Sequence, residues 1–244
     1  MHPQRRKHSP QVSAVVPAHD EAPTIAGVLA VLVGHPLIDE VIVVDDASTD
    51  ANSRLARAAG ATVLEMPRNG GKAAAMARGV AAARHDVIFF SDADLTGLTR
   101  DMVTRLLRPV TYGAFAMFVG MCKRRTYWTN RLLHFSPLIG GERTITRALW
   151  LDVPVEFKMH FQIEIALNFF AKLNGHRMGV AVLDGVGQVI KEQKRGLLSG
   201  AWKRISMIAG ILVVSWRTYV VYQARLRVAR WMGTPGVALD AESR

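Results

Sequence analysis

Four short apolar runs alternate with longer helix-forming segments over about the first 110 residues, and this alternation limits the fold more than any other feature. Each run is rich in Val, Ile or Phe and apolar on both faces, which is typical of a strand buried on both sides. The runs are "VSAVV" at 12–16, "EVIVVDD" at 40–46, "ATVLEM" at 61–66 and "DVIFF" at 86–90. Strand–helix–strand repeats of this kind predict an α/β fold with a mostly parallel sheet flanked by helices.

Polar clusters follow all four runs at the point where each strand ends. They are "PAHDE" at 17–21, "DDASTD" at 45–50, "RNGGK" at 68–72 and "SDAD" at 91–94. Carboxyl ends of parallel strands meet at one edge of a sheet, and ligands bind outside that edge. One such cluster would be explained by a solvated turn, whereas four on one edge predict a binding site.

Asp92 and Asp94 are the strongest candidates for a metal site. Side chains two residues apart share a face of an extended chain, so the two carboxylates repel each other unless a cation lies between them. Mg²⁺ and Mn²⁺ prefer oxygen ligands and readily take phosphate oxygens as well. The alternative is a solvated turn in which Asp94 caps a helix that begins near Thr96. The neighbouring clusters favour the metal site.

The second and third clusters predict contacts to a nucleotide. Asp45 and Asp46 could cap the helix that begins near Thr49, but Ser48 or Asp50 suits that role, which leaves the aspartate pair to accept hydrogen bonds from a base or ribose. Lys72 follows two glycines at a helix start and is expected to contact phosphate, assisted by backbone amides. The spacing of a Walker A loop is absent.

The second half of the chain is less regular, and its composition gives the wider context. We expect a strand at 114–121, a loop entering a strand at 139–147, a helix at 161–175 and a hairpin around Asp184-Gly185. The single cysteine indicates a reducing compartment. The basic start lacks the apolar run of a secretory signal. Both features predict a cytoplasmic protein.

The C-terminal segment is strongly basic and amphipathic. Residues 191–231 carry nine lysines and arginines and one glutamate, in a chain of net charge +11. The segment's longest apolar stretch, "MIAGILVV", is far shorter than the ~20 residues that span a bilayer. Tryptophans beside basic residues favour a helix lying at the inner membrane surface, with packing on the core as the alternative. Nucleic-acid binding is disfavoured, because no nucleic-acid-binding motif accompanies the charge.

Taken together, "VVPAHDEAPTI", "VIVVDDASTD", "RNGGKAAAMARG" and "VIFFSDADL" resemble the nucleotide-sugar half of the family 2 GT-A glycosyltransferases. "IGGERTITRALWLDVPV" and "FQIEIALNFF" resemble the acceptor side of the bacterial members. The resemblance extends to the related polyprenyl and dolichyl-phosphate sugar synthases and glucosyl-3-phosphoglycerate synthases. The expected organisation is a basic tail at 1–11, a GT-A domain at 12–195, amphipathic helices at 196–231 and a disordered tail at 232–244.

The resemblance implies a role for each matching residue. Asp94 and Asp92 would form the DXD motif, with Asp94 as the direct ligand of Mg²⁺ or Mn²⁺. Glu164 would be the catalytic base or a sugar-hydroxyl ligand, although it could instead lie on the polar face of a core helix and pair with Lys172 or Arg177. The donor-binding residues would be Pro17, Ala18, Glu21, Asp46, Lys72, Asp92, Gly140, Gly141, Glu142 and Lys191.

One departure from the family pattern concerns the metal. Many relatives have a histidine after the hairpin that completes the metal site, whereas "GVGQVIKEQK" offers Gln188, Lys191 and Lys194. His160, Arg143 and Arg147 are further candidates: His160 could cap a helix or touch ligand, and the arginines could hold an acceptor phosphate or line a solvated strand face.

The implied activity is transfer of a hexose from a UDP- or GDP-sugar to a lipid phosphate or another polar acceptor. Two alternatives remain open. A nucleotidyltransferase would have a Gly-rich loop after the first strand, where this chain has "PAHDEA". A catalytically silent, membrane-associated binding protein on the same fold gains weight from the missing histidine.

Overall fold

The computed structural model describes residues 11–122, 140–158 and 163–188. The strands are β1 (Val12–Ala18), β2 (Glu40–Asp45), β3 (Thr62–Glu65), β4 (Val87–Phe90), β5 (Leu95–Thr96), β6 (Met117–Cys122), β7 (Arg143–Thr146), β8 (Met178–Leu183) and β9 (Gly187–Gln188). The helices are α1 (Ile25–Leu32), α2 (Asn52–Ala58), α3 (Lys72–Ala82), α4 (Arg100–Thr111), α5 (Arg147–Asp152) and α6 (Ile163–Leu173), with a 3-10 turn at Val155–Phe157.

Seven strands form one sheet in the order β3-β2-β1-β4-β7-β6-β8. All are parallel except β7, which runs antiparallel to both β4 and β6. Arg143, the first residue of β7, pairs with Phe90, the last residue of β4. Because β7 runs in the opposite direction, its first residue, and not its last, lies at the edge where the parallel strands end.

Two apolar clusters cover the two faces of the sheet. One packs α1, α2 and α4 against residues such as Val16 and Phe89, and the other packs α3, α5 and α6 against residues such as Val15 and Phe90. Consecutive strand residues belong to opposite clusters because side chains alternate across a strand. The strands therefore read as continuous apolar runs in the sequence, as expected for a sheet buried on both faces.

The predicted α/β architecture is confirmed: the sheet is mostly parallel and helices flank it. The four N-terminal strands, the three helices between them and the later strand and helix all form close to their expected positions. The C-terminal amphipathic helices, the C-terminal tail and the basic start apart from Gln11 lie outside the described residues. Within the described ranges, no helix combines the length and hydropathy needed to cross a bilayer.

The expected hairpin around Asp184-Gly185 is wrong. The turn exists, and Gly185 has φ +81°, but β8 pairs with β6 in the large sheet and β9 pairs with β5 in a separate two-stranded ribbon. A turn-forming pair fixes a local change of direction, and the tertiary partners of the flanking strands are set elsewhere. The consequence is that β9 lies beside Leu95, directly after Asp94.

Candidate active site

The loops that follow β1 and β2 are joined by hydrogen bonds at the carboxyl edge of the sheet. The amide of Asp20 donates to Ser48 Oγ at 3.0 Å, and the amide of Thr49 donates to Asp20 Oδ1 at 2.7 Å. The amide of Ala22 donates to Asp50 Oδ2 at 2.9 Å. The first two polar clusters of the sequence therefore form one continuous rim, on which the candidate donor residues Pro17 and Ala18 end β1.

Asp45 has a structural role in this rim. Its carboxylate accepts hydrogen bonds from the amide of Ser48, from Asn52 Nδ2 and from Ser53 Oγ. Burial raises the pKa of Asp45, but these hydrogen bonds outweigh it and hold the pKa below its ordinary value. Helix α2 begins at Asn52, whose amide donates to Asp50 Oδ1, so Asp50 serves the helix start although Ala51 occupies the cap position.

Asp46 ties the second cluster to the third. It is 3% exposed, and its two carboxylate oxygens accept hydrogen bonds from the amides of Gly70 and Gly71 at 2.7 and 2.8 Å. The expectation that the aspartate pair has no partners within the chain is wrong. The amides of Gly70 and Gly71 donate to Asp46, and a phosphate contact by the first amides of α3 stays a prediction. A base or ribose contact by Asp46 stays a prediction.

Lys72 connects two carboxylates that are far apart in the sequence. Its Nζ lies 2.7 Å from Asp92 Oδ1 and 2.8 Å from Glu164 Oε1. Burial alone would lower the pKa of Lys72, but the charges of Asp92 and Glu164 raise it well above its ordinary value. Lysine, DXD residue and candidate base therefore meet in one cluster, formed by α3, the loop after β4 and α6.

Glu164 belongs to this cluster and not to a solvated helix face. It is buried in the first turn of α6, and its partner is Lys72 rather than Lys172 or Arg177. Burial raises the pKa of Glu164, but the positive charges of Lys72 and Arg143 outweigh it, so the pKa lies below its ordinary value. Glu164 is thus ionised at neutral pH, as a general base must be before it accepts a proton. Its catalytic role stays a prediction.

Asp94 has the opposite electrostatic environment. Burial and the negative charges of Asp92 and Glu21 raise the pKa of Asp94 to about 6. Asp94 caps no helix near Thr96, because Leu95–Thr96 is a short strand and α4 begins at Arg100 under a Thr99 cap. The loop of Asp94 is therefore available for a role other than helix capping.

The loop Gly140-Gly141 closes the other side of the cluster. A Cβ on Gly140 would lie 2.3 Å from the carbonyl oxygen of Gly120, and a Cβ on Gly141 would lie 2.0 Å from Asp92 Oδ2. Gly140 therefore requires glycine for close backbone approach, and a side chain at position 141 would have to displace the Asp92 carboxylate. The predicted donor loop is placed directly against the DXD carboxylate.

Glu142 is a buried carboxyl at the end of this loop. It is 2% exposed, its Oε2 lies 3.8 Å from Cys122 Sγ, and its Oε1 has no hydrogen-bond partner within the described residues. Burial and the negative charge of Asp92 raise the pKa of Glu142 to about 7. The donor contact of Glu142 stays a prediction.

The expectations for Arg143 and Arg147 are both wrong. Arg143 is fully buried and donates to the carbonyl oxygen of Gly140, so it lines no solvated strand face and presents no charge to an acceptor. Arg147 donates to the carbonyls of Val80, Ala83 and His85 and thereby closes the C-terminal end of α3. The alternation of polar and apolar residues along a short strand does not reveal that the Arg143 side chain is buried. His160 and Lys191 lie outside the described residues, as does the side chain of Gln188.

A divalent cation fits the charge distribution of this edge. Within the described ranges, no group of three or more His, Cys, Asp and Glu forms a ready metal site. Asp94 nevertheless lies close enough to Asp92 and Glu21 for their charges to raise its pKa, and a cation relieves this repulsion. The carboxylates of Asp94 and Asp92 are hard oxygen donors of the type that Mg²⁺ and Mn²⁺ prefer, and their role as metal ligands stays a prediction.

Comparison with known sequences matches the part of the chain that forms this site to a known family. The family model for glycosyl transferase family 2 matches residues 13–162. A glucosyl-3-phosphoglycerate synthase of Mycolicibacterium paratuberculosis is 38% identical over 111 residues, which cover 42% of this chain and 34% of the relative. A 4,4'-diaponeurosporenoate glycosyltransferase of Staphylococcus aureus is 35% identical over 101 residues, covering 39% of this chain and 27% of the relative. The matches thus span about a third of the curated relatives' length.

Solved structures show the same fold over more of the chain. Glucosyl-3-phosphoglycerate synthase of Mycobacterium tuberculosis in complex with phosphoglyceric acid superposes with a TM-score of 0.70 at 26% identity, covering 84% of this chain and 80% of that chain. The complex of the same enzyme with Mn²⁺ and UDP-glucose superposes with a TM-score of 0.69 at 26% identity, covering 84% and 79%.

Proposed function

Because the chain belongs to glycosyl transferase family 2, we propose that it transfers a hexose from a nucleoside diphosphate sugar to a phosphate-bearing acceptor, with UDP-glucose as the favoured donor. The observation that carries this proposal is the cluster of Lys72, Asp92 and Glu164 at the carboxyl edge of the sheet. It combines a cation for a diphosphate, a carboxylate of the DXD motif and an ionised base. The Mn²⁺ and UDP-glucose complex of the structural neighbour supports the choice of donor.

The donor's diphosphate is proposed to lie over Lys72 and Asp94. Asp94, with Asp92, would hold Mg²⁺ or Mn²⁺, which neutralises the negative charge that develops on the departing nucleoside diphosphate. Lys72 supplies a second positive charge, which does not depend on the metal. It has only 21% of its side chain exposed, and a charge contact in such a water-poor site is stronger than in solvent.

Glu164 is proposed to accept the proton of the acceptor hydroxyl. The acceptor oxygen forms a bond to the anomeric carbon as the bond from that carbon to the diphosphate oxygen breaks, and the hydroxyl proton passes to a Glu164 carboxylate oxygen. In the structure Lys72 binds that carboxylate and holds it ionised. A diphosphate bound beside Lys72 partly neutralises the positive charge that Glu164 senses. The pKa of Glu164 therefore rises when the donor is bound, and its carboxylate becomes a stronger base.

The acceptor is proposed to be a phosphorylated small molecule. One structural neighbour is a complex with phosphoglyceric acid, which supports this class. The basic segment at 191–231 suits an anionic surface, so a lipid-phosphate acceptor used at the inner face of the membrane is the second candidate.

A thermal-shift screen followed by a transfer assay tests the function. UDP, GDP, dTDP and their glucose and mannose conjugates are compared with and without Mn²⁺. At a ligand concentration of about 100 Kd, binding adds about 2.7 kcal/mol to stability, which raises the Tm measurably. We expect UDP-glucose with Mn²⁺ to give the largest shift. Transfer is then measured to phosphoglyceric acid and to polyprenyl phosphate. Absence of any shift with all donors would favour a catalytically silent fold.

The Asp94→Ala variant checks the metal assignment in the same assays. It should abolish the Mn²⁺-dependent part of the thermal shift and lower transfer, because the hard oxygen ligand is lost. Unchanged transfer and unchanged Mn²⁺-dependent binding would show that the DXD assignment is wrong. Asp86→Ala is the matched control, since Asp86 is an exposed aspartate that precedes β4 at the opposite edge of the sheet.

A further inference from the structure

Arg143 has the largest side chain among the fully buried residues that the structure describes, and it carries a charge. Burying a guanidinium is unfavourable unless its donors are satisfied inside the protein. Burial indeed lowers the pKa of Arg143, and the nearby carboxylates of Glu164, Asp92 and Glu142 act against that effect. A charged side chain at this buried position must therefore make contacts that an apolar side chain could not make.

The first of these contacts is with the carbonyl oxygen of Gly140. Nε of Arg143 donates to it at 3.0 Å and Nη2 at 2.6 Å, so two N–H donors on one edge of the guanidinium hold one carbonyl in place. The next residue, Gly141, packs so closely on Asp92 that there is no space for a Cβ. Fixing Gly140 therefore fixes the wall against which the Asp92 carboxylate rests.

The second contact is with the backbone of Glu164. Nη1 of Arg143 donates to the carbonyl oxygen of Glu164 at 3.4 Å. The same guanidinium thus binds two backbone segments. One is the glycine loop that packs against Asp92, and the other is the first turn of α6, which carries Glu164. Lys72 bridges those two carboxylates on the other side.

We propose that Arg143 is a positioning residue, which sets the separation between Asp92 and Glu164 so that Lys72 and the reacting groups meet in the correct geometry. This inference rests on the proposed function, because it assigns Arg143 to the same transfer reaction. Arg143 contacts no donor or acceptor: its guanidinium is fully buried, and it acts through Gly140 and the Glu164 carbonyl. A displacement of about 1 Å in catalytic groups lowers rates by about 100-fold.

The test compares Arg143→Lys and Arg143→Met with Arg147→Met in the full chain. Arg147 is the matched control, because its guanidinium likewise donates to backbone carbonyls, those of Val80, Ala83 and His85, but closes α3 away from the cluster. For each variant, the Tm, the donor KM and kcat are measured with UDP-glucose, Mn²⁺ and the acceptor that the wild type uses, well below the Tm.

We expect Arg143→Met to lower kcat by about 100-fold while the donor KM changes by less than about threefold. Arg143→Lys should remain folded but regain only part of kcat, because one ammonium cannot reproduce the fork on Gly140 and the contact to Glu164. Arg147→Met should lower the Tm with kcat unchanged. If Arg143→Met does not fold, Arg143→Lys carries the test.

Two outcomes would overturn the inference. One is a folded Arg143 variant with wild-type kcat. The other is a loss of kcat in Arg147→Met as large as in Arg143→Met, which would show that general destabilisation is the cause. Failure of the proposed function has a different signature, because the wild type itself would then show no transfer from any donor.

Discussion

Glu164 and Glu142 lie in the same buried edge of the sheet, and their pKa values move in opposite directions. Lys72 and Arg143 keep the pKa of Glu164 low, whereas Glu142 is buried, lies near Asp92 and has a pKa of about 7. The difference arises from position alone, since the residue type is the same. Opposed environments of this kind separate a carboxylate suited to proton transfer from one suited to support.

The pH dependence of stability follows from Glu142. Its pKa in the folded chain, about 7, exceeds the ordinary value of 4.5, so the folded state binds its proton more tightly than the unfolded state. The resulting stabilisation is fully present below about pH 4.5 and is lost as the pH rises through 7. Glu142→Gln removes the titration. We expect urea unfolding to show a gain of about 2 kcal/mol over the wild type at pH 8 and a much smaller difference at pH 5.

Glu156→Gln is the control for that measurement, because Glu156 is exposed in the 3-10 turn. It should change stability by less than about 0.5 kcal/mol at either pH. An equal effect of Glu142→Gln at pH 5 and pH 8 would contradict the assigned role of its ionisation.

Lys72 is the residue on which the donor site depends most. Lys72→Met leaves Asp92 and Glu164 facing each other without the cation that they share. We expect kcat/KM for the donor to fall by about 100- to 1,000-fold, as for the loss of one preorganised charge contact. Steady-state kinetics with UDP-glucose measure this change. Lys172→Met, at the exposed last turn of α6, should leave kcat/KM unchanged, and an equal loss in both variants would remove Lys72 from the site.

At the scale of elements, short contacts between loops set the geometry of the site. Gly141 packs against Asp92, and a Cβ there would lie 2.0 Å from Oδ2. Gly141→Ala must therefore displace the carboxylate from Lys72, and we expect a loss of about 100-fold in kcat. Gly27→Ala in α1 is the comparison, because its Cβ meets no atom within 4 Å. It should stabilise the chain by up to about 1 kcal/mol with kcat unchanged, and circular dichroism with kinetics distinguishes the two results.

A second contact between elements is the pair of hydrogen bonds from the two glycines before α3 to Asp46, the residue after β2. Asp46→Ala leaves the amides of Gly70 and Gly71 without their acceptor, and hydrogen bonds to charged groups contribute about 1.5–3 kcal/mol each. We expect lower stability together with a raised donor KM, because α3 carries Lys72. Asp39→Ala removes an equivalent tether, to the amide of Val12, at the opposite edge. It should lower stability only, and a normal KM in Asp46→Ala would contradict the prediction.

The sequence predicts the elements well and their long-range contacts poorly. Val- and Ile-rich runs with helical segments between them suffice to place β1 to β4 and the edge where their polar clusters meet, because burial on both faces leaves a strong pattern. The partners of Asp46 and Arg143, and the separation of β8 from β9, depend on contacts between distant segments. Residue type and spacing contain no information on which of several backbone groups a carboxylate or guanidinium will meet.

At the scale of the molecule, the net charge of +11 contrasts with a site rich in carboxylates. Glu21, Asp92, Asp94, Glu142 and Glu164 interact electrostatically within the described site, together with Lys72 and Arg143. Much of the positive charge lies instead in the basic segment at 191–231. This distribution along the sequence predicts that the acidic site binds a cation with its phosphate ligand and that the basic segment binds an anionic surface.

Association with anionic membranes is a prediction for the whole chain. The full-length protein should sediment with vesicles that contain phosphatidylglycerol and not with neutral phosphatidylcholine vesicles, and added salt should weaken binding. The double variant Lys203→Glu with Arg204→Glu removes two positive charges and should weaken binding by about 30-fold or more, at roughly 1 kcal/mol per charge removed. The pair Arg54→Glu with Arg57→Glu, in α2, is the control. Equal binding by both double variants would exclude the C-terminal segment as the contact.

The reversed strand β7 has a consequence for how the family can diversify. Because β6 ends at Cys122 and β7 begins at Arg143, the connection between them leaves and returns at the same edge of the sheet. Both ends of that connection are anchored by strands whose register does not depend on its length. A change of chain length between the two strands therefore leaves the pairing of β7 with β6 and with β4 unchanged. Homologues can differ in length at this point of the chain without altering the sheet that positions the donor-side loops.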